Sequence, residues 1–198
     1  MMPRSTLLTV LVAVALALAA PSVSHRAHGV QQVKSLYTAI DLKACEIVKE
    51  HEDGDAWLCE GLKGYPVYIA EGDHRTFLST GARARETRAA EQTLSAFNSL
   101  FEGSSTRTTV EWRFVIREGE PVPYATIVRY FTQSDGAKGE VLIVARVTGN
   151  EVCHVAYIDA KANPDAIVMA RRVADQKARA FDCGSEPKVE GAAGKSPM

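Results

Sequence analysis

The sequence predicts an α+β domain: an antiparallel, mostly meandering β-sheet with a C-terminal helix packed on it, one further helix, and two disulfides. Three observations predict it. Short apolar–polar alternating runs follow one another from Ser35 to Ala160, separated by tight-turn dipeptides. Two stretches switch to a three-to-four spacing of apolar residues. Four cysteines follow a leader of the export type, and an even count in an oxidising compartment reads as disulfides. A β-sandwich with helical additions is the architectural alternative.

The leader comes first in the chain. Arg4 supplies a positive start, and Leu7 to Ala20 is apolar apart from Thr9. That run is about 14 residues, where a spanning helix needs about 20. Small residues at Ala17 and Ala19 complete a signal-peptide pattern over 1–24, with cleavage expected within 19–27. Residues 35–183 then form one domain, and 184–198, polar and rich in Pro and Gly, reads as a disordered tail. The formal charge of −1 carries no basic excess, which argues against a nucleic-acid partner, and no membrane span is expected after cleavage.

Within the domain, Asp53-Gly54 marks a turn between Cys45 and Cys59. "YPVYIAEGDHRTFLS" is a hairpin around Gly72-Asp73. Ala90, Leu94, Phe97 and Phe101 recur at helical spacing before Gly103, predicting a helix over 84–101. In "TVEWRFVIR", Val110, Trp112, Phe114 and Ile116 share one face, and Glu111, Arg113 and Arg117 a wetter one. "YATIVRYFTQ" follows Pro121 and Pro123. Two mostly apolar strands around Gly149-Asn150 then read as central, with Arg146 opposite Cys153, Ala145 opposite His154 and Val144 opposite Val155. Asn163 as N-cap and Pro164 at the first turn open the last helix. Its stripe is Ile167, Ala170, Ala174, Ala178 and Phe181.

Geometry orders the cysteines. The strand from Cys153 to Asp159 spans about 20 Å, and a helix from Pro164 to Cys183 about 28 Å. Folded back across the sheet, the helix returns Cys183 to Cys153, leaving Cys45–Cys59 as a hairpin bridge. A bridged Cys153 is no nucleophile, and adjacent strand residues point to opposite faces, so Cys153 and His154 make no dyad. His154 among valines and isoleucines reads as a hydrogen-bonded core histidine. Glu52, Asp53 and Asp55 lack the twelve-residue calcium-loop pattern. No metal site and no cofactor is expected, and no P-loop, G-x-S-x-G, H-E-x-x-H or dinucleotide fingerprint is present.

The string W-x-C-x-G-x-x-G-Y-P-V-x-x-x-x-G-D-x-R (Trp57 to Arg75), with "CHVAYIDA" and a helix ending in F-x-C, resembles a set of uncharacterised exported bacterial proteins. The resemblance covers most of the chain after the leader. It implies a periplasmic or secreted protein with structural cysteines, and carries no known activity. The expectation is a non-catalytic periplasmic binding or interaction module, its partner a protein or small ligand of the cell envelope. Trp112, Arg113, Arg129 and Tyr130 are the candidate binding residues. The rivals are a hydrolase using His154 with a carboxylate such as Asp159, and a structural envelope component.

Overall fold

A computed structural model of the protein describes residues 33–49 and 54–198. The expected leader, and Glu52 and Asp53 of the acidic turn, lie outside the described residues.

Strand β1 (Lys34–Asp41) leads into β2 (Glu46–Lys49), β3 (Ala56–Leu62), β4 (Tyr65–Gly72) and β5 (Arg75–Thr80). The last four form an antiparallel meander. After β6 (Phe97–Ser99) come β7 (Arg107–Arg117), β8 (Glu120–Ser134), β9 (Ala137–Thr148) and β10 (Glu151–Asp159). Helix α1 (Ala166–Lys177) and β11 (Lys188–Val189) complete the chain. The larger sheet runs β1-β7-β8-β9-β10-β11, with β6 on the far end of β8. It is mixed rather than purely antiparallel, because β11 lies parallel to β10.

Turn chemistry explains the meander. The β7–β8 and β8–β9 hairpins turn on Glu118-Gly119 and Asp135-Gly136, all at positive φ. The β4–β5 turn is Asp73-His74, both at positive φ, one residue beyond the Gly72-Asp73 expected from the dipeptide. Pro123 sits inside β8 because a bulge opposite Arg113 and Phe114 spares the missing N–H.

Two main cores cover the two faces of the large sheet, and a smaller cluster of Ala145, Val147 and Val152 packs on Ala89. Trp112, Tyr130, Val110, Val141 and Ile143 pack against Val67, Ile69 and Leu78 of the small sheet. On the other face Ile127, Leu142, Val144 and Val155 meet Ala166, Ala170, Val173 and Ala174 of α1. The alanines let the helix approach closely, as its composition predicts.

Several expectations need correction. Among the described residues there is one α-helix, not two. Residues 84–101 form short 3₁₀ turns at Ala84–Glu86 and Arg88–Ala90, then extend into β6. Phe97 is exposed, so the apparent stripe has no common face. Asn98 competes with helix: its amide bonds Thr76 N, Leu94 O and Ala96 O. Asp165, not Asn163, is the cap residue of α1. Cys153 and His154 pair with Arg146 and Ala145 as expected, but Val144 pairs with Ala156, leaving Val155 as a bulge. Beyond it Ala156 and Ile158 join the helix-side core and Tyr157 the opposite one. The tail expected to be disordered is laid along β10 and buries Ser196.

The disulfides are Cys45–Cys59 and Cys153–Cys183, with Cα–Cα separations of 4.5 and 5.7 Å. The second ties β10 to the end of the α1 segment. Replacing Cys45 and Cys59 together by alanine opens a closure of 14 residues. The expected loss is about 3 kcal/mol, read as a lower urea midpoint, with a slope that does not fall because the uncrosslinked unfolded chain exposes more surface.

Candidate functional site

Beside α1 the helix-side face of the large sheet hollows into a cavity of about 470 Å³. Its floor is apolar, with Ile127 and Phe131 from β8, Leu142 from β9 and Ile167 from α1. Its rim combines arginines and hydroxyls with two acids: Arg107, Arg129 and Arg171, Tyr37 and Thr109, and Glu102 and Glu111.

One wall continues into a charged network under the helix. The face of β7 expected to be wet is covered by α1, leaving Glu111 4% and Arg113 8% exposed. Arg171 donates from Nε and Nη2 to the two Glu111 carboxylate oxygens at 2.7 and 3.1 Å, and from Nη2 to Tyr37 Oη at 3.0 Å. Ser35 Oγ donates to Glu111 at 2.5 Å and accepts from Arg113 at 2.5 Å. Arg113 reaches Asp175 through Nε and Nη2 at 2.9 and 2.7 Å, and Tyr124 Oη donates to the same carboxylate at 2.6 Å. Arg179 stacks over the Tyr124 ring at 4.1 Å.

These contacts decide the protonation states. Burial, then the Asp175 carboxylate, pushes the Tyr124 hydroxyl up to about 12, so it remains a donor. The bonds to Glu111 raise Arg171. Burial opposes the charge of Arg113, but Asp175 outweighs it and the guanidinium is raised. Each rim arginine is paired with an acid: Arg107 with Asp41, Arg129 with Glu140, Arg171 with Glu111. Arg171 alone is bidentate on a buried acid, which fixes its guanidinium orientation; Arg107 and Arg129 make single, exposed pairs.

The four residues singled out from sequence separate here. Arg129 stands on the cavity rim. Arg113 lies in the network behind it and reaches no surface. Trp112 is 0% exposed in the sheet–sheet core, its Nε1–H donating to Thr38 Oγ1 at 2.9 Å, and Tyr130 is buried beside it. Neither aromatic ring faces solvent. The residues that sequence reading missed are Tyr37, Glu111, Arg171 and Asp175. Their signal was present: Arg171 and Asp175 are four apart, on the α1 side facing Glu111 and Arg113.

His154 and Asp159, the proposed hydrolytic pair, have separate partners. His154 is 1% exposed, its Nδ1 hydrogen-bonded to Tyr157 Oη at 3.1 Å. The Asp159 carboxylate accepts from Lys161 N, Ala162 N, Lys195 N, Ser196 N and Ser196 Oγ. Burial alone would raise its pKa; the hydrogen bonds, those of Ser196 first, hold it below the ordinary value. Comparison with family models, with curated proteins and with solved structures gives no match to this chain.

Proposed function

We propose that the protein is an exported, non-catalytic binding module of the cell envelope, whose ligand occupies the cavity beside α1. The observation that carries this reading is the pairing of an apolar floor with the Arg171 guanidinium, held bidentately by buried Glu111 before any ligand arrives. Groups fixed in advance lose little entropy on binding. The ligand chemistry that suits them is an apolar body bearing an anionic or strongly accepting head. Two disulfides are compatible with a periplasmic or secreted location, and no helix among the described residues is long and apolar enough to cross a membrane. The leader pattern and the resemblance to exported bacterial proteins support the same address.

The test uses 1-anilinonaphthalene-8-sulfonate, an aromatic body with a sulfonate. Thr109 is exposed on the cavity lining, so Thr109→Trp fills the hollow without entering the core. Saturable fluorescence enhancement with the folded wild-type chain is expected, weakened at least tenfold, about 1.4 kcal/mol, in Thr109→Trp. Equal binding by both chains places the ligand elsewhere and sinks the proposal.

A further inference from the structure

The edge of β10 carries a second site, unrelated to the cavity. Residues 188–196 follow this edge and are held by their main chain, by the Ser196 hydroxyl and by an ion pair from Glu190 to Lys177. Lys188 and Val189 pair with Ala156 and Tyr157, and Glu190 N donates to Tyr157 O at 2.9 Å. Asn163 brackets Ala192, donating from Nδ2 to its carbonyl at 2.7 Å and accepting its N–H at 3.0 Å. Asp159 accepts Lys195 N and Ser196 N at 2.8 and 2.9 Å and Ser196 Oγ at 2.7 Å. Ser196 Oγ also bridges to Glu140 N and O, both at 3.0 Å.

The receptor groups are buried and held by local structure. Asp159 and Asn163 are 0% and 6% exposed. Asp159 is positioned by Lys161 N and Ala162 N, and Asn163 by Asp159 O, none of them from the bound segment. Shape adds selection. A Cβ on Gly139 would lie 2.5 Å from Ser196 Cβ, and one on Gly191 would lie 2.6 Å from Asn163 Oδ1. The site therefore reads main-chain amides, a glycine and a hydroxyl. This is recognition by strand addition, with buried side chains supplying the specificity. Meanwhile Gly184, Ser185 and Glu186, which connect the segment to the disulfide-anchored Cys183, are exposed.

We propose that this groove is a binding site for an extended peptide segment, and that residues 188–196 are its resident, displaceable ligand. A second copy of this chain, presenting the same segment, is the partner it fits. Ser196→Pro in the full chain removes one N–H and the hydroxyl from Asp159, and vacates the end of the groove. The probe is a fluorescein-labelled peptide of residues 187–198. It should bind the Ser196→Pro chain saturably. Binding to wild type should be at least about tenfold weaker, because the resident segment competes at high effective concentration. A peptide carrying the same Ser→Pro change should bind neither chain.

Failure of the peptide to bind a Ser196→Pro chain whose own segment exchanges hydrogen freely overturns the proposal. Should that chain misfold or keep its segment seated, hydrogen exchange of wild type decides. Amides of Glu190, Ala192, Lys195 and Ser196 exchanging well ahead of β9 and β10 support a displaceable ligand. Exchange only together with those strands makes the segment a fixed part of the fold and refutes it.

Discussion

Arg113→Met is expected to lower the unfolding free energy by about 1–3 kcal/mol. The methionine retains most of the aliphatic stem, so packing is nearly conserved and the loss is electrostatic. Two hydrogen bonds to Asp175 and one to Ser35 disappear, leaving Asp175 with only Tyr124 among the partners described above. Removing Arg113 leaves the Asp175 charge, whose side chain is 29% exposed, without its cation, and solvent screens only part of that cost. The double substitution Arg113→Met with Asp175→Leu should therefore recover most of the loss, because no uncompensated charge stays beneath α1. Urea unfolding of the three chains gives the comparison. A cost below about 1 kcal/mol for Arg113→Met would mean that the network behaves as an ordinary surface pair.

The contrast between this network and the rest of the fold shows what a single sequence discloses. Alternation and turn dipeptides found β7 to β10 because period and turn chemistry are local properties. Folding the last helix back across the sheet found Cys153–Cys183, although the α-helix ends at Lys177 and the chain reaches Cys183 through a 3₁₀ turn and an extended step. Glu111 and Arg113 were misread as wet because alternation distinguishes two faces without saying which is covered. Their partners Arg171 and Asp175 lie about 60 residues away in sequence. The helix expected over 84–101 failed for a related reason. Apolar spacing was present, but the Asn98 amide satisfies backbone groups that a helix would have used, and Phe97 faces solvent. Composition likewise misjudged the tail. A Gly- and Pro-rich segment has little to bury, yet main-chain N–H groups need only a buried carboxylate to hold them, and Asp159 supplies it.

Acid should destabilise the protein through His154, and glutamine at that position should remove the effect. The imidazole is 1% exposed between the sheets, and burial lowers its pKa from 6.5 to about 3. Its ring nitrogen bonds the Tyr157 hydroxyl, which stays protonated because burial, then the Glu186 carboxylate, raises it to about 12. The folded chain thus keeps His154 neutral throughout the range in which the unfolded chain protonates it. Between about 3 and 6.5 the unfolded state holds one more proton, so stability rises with pH across that window. The contribution is complete above 6.5. It falls by about 2–3 kcal/mol on going to pH 4.5 and by about 4–5 kcal/mol near pH 3, at about 1.36 kcal/mol per pH unit. Depressed carboxylates such as Asp159 add their own loss at the acid end, but they are common to both chains. The measurement is therefore a difference, taken from urea unfolding of wild type and His154→Gln at a series of pH values from 7 to 4. Any neutral-pH cost of the substitution should shrink steadily as the pH falls. Parallel curves would show that the folded chain protonates His154 as readily as the unfolded one. That would require the space between Tyr157 and the small sheet to be open to water.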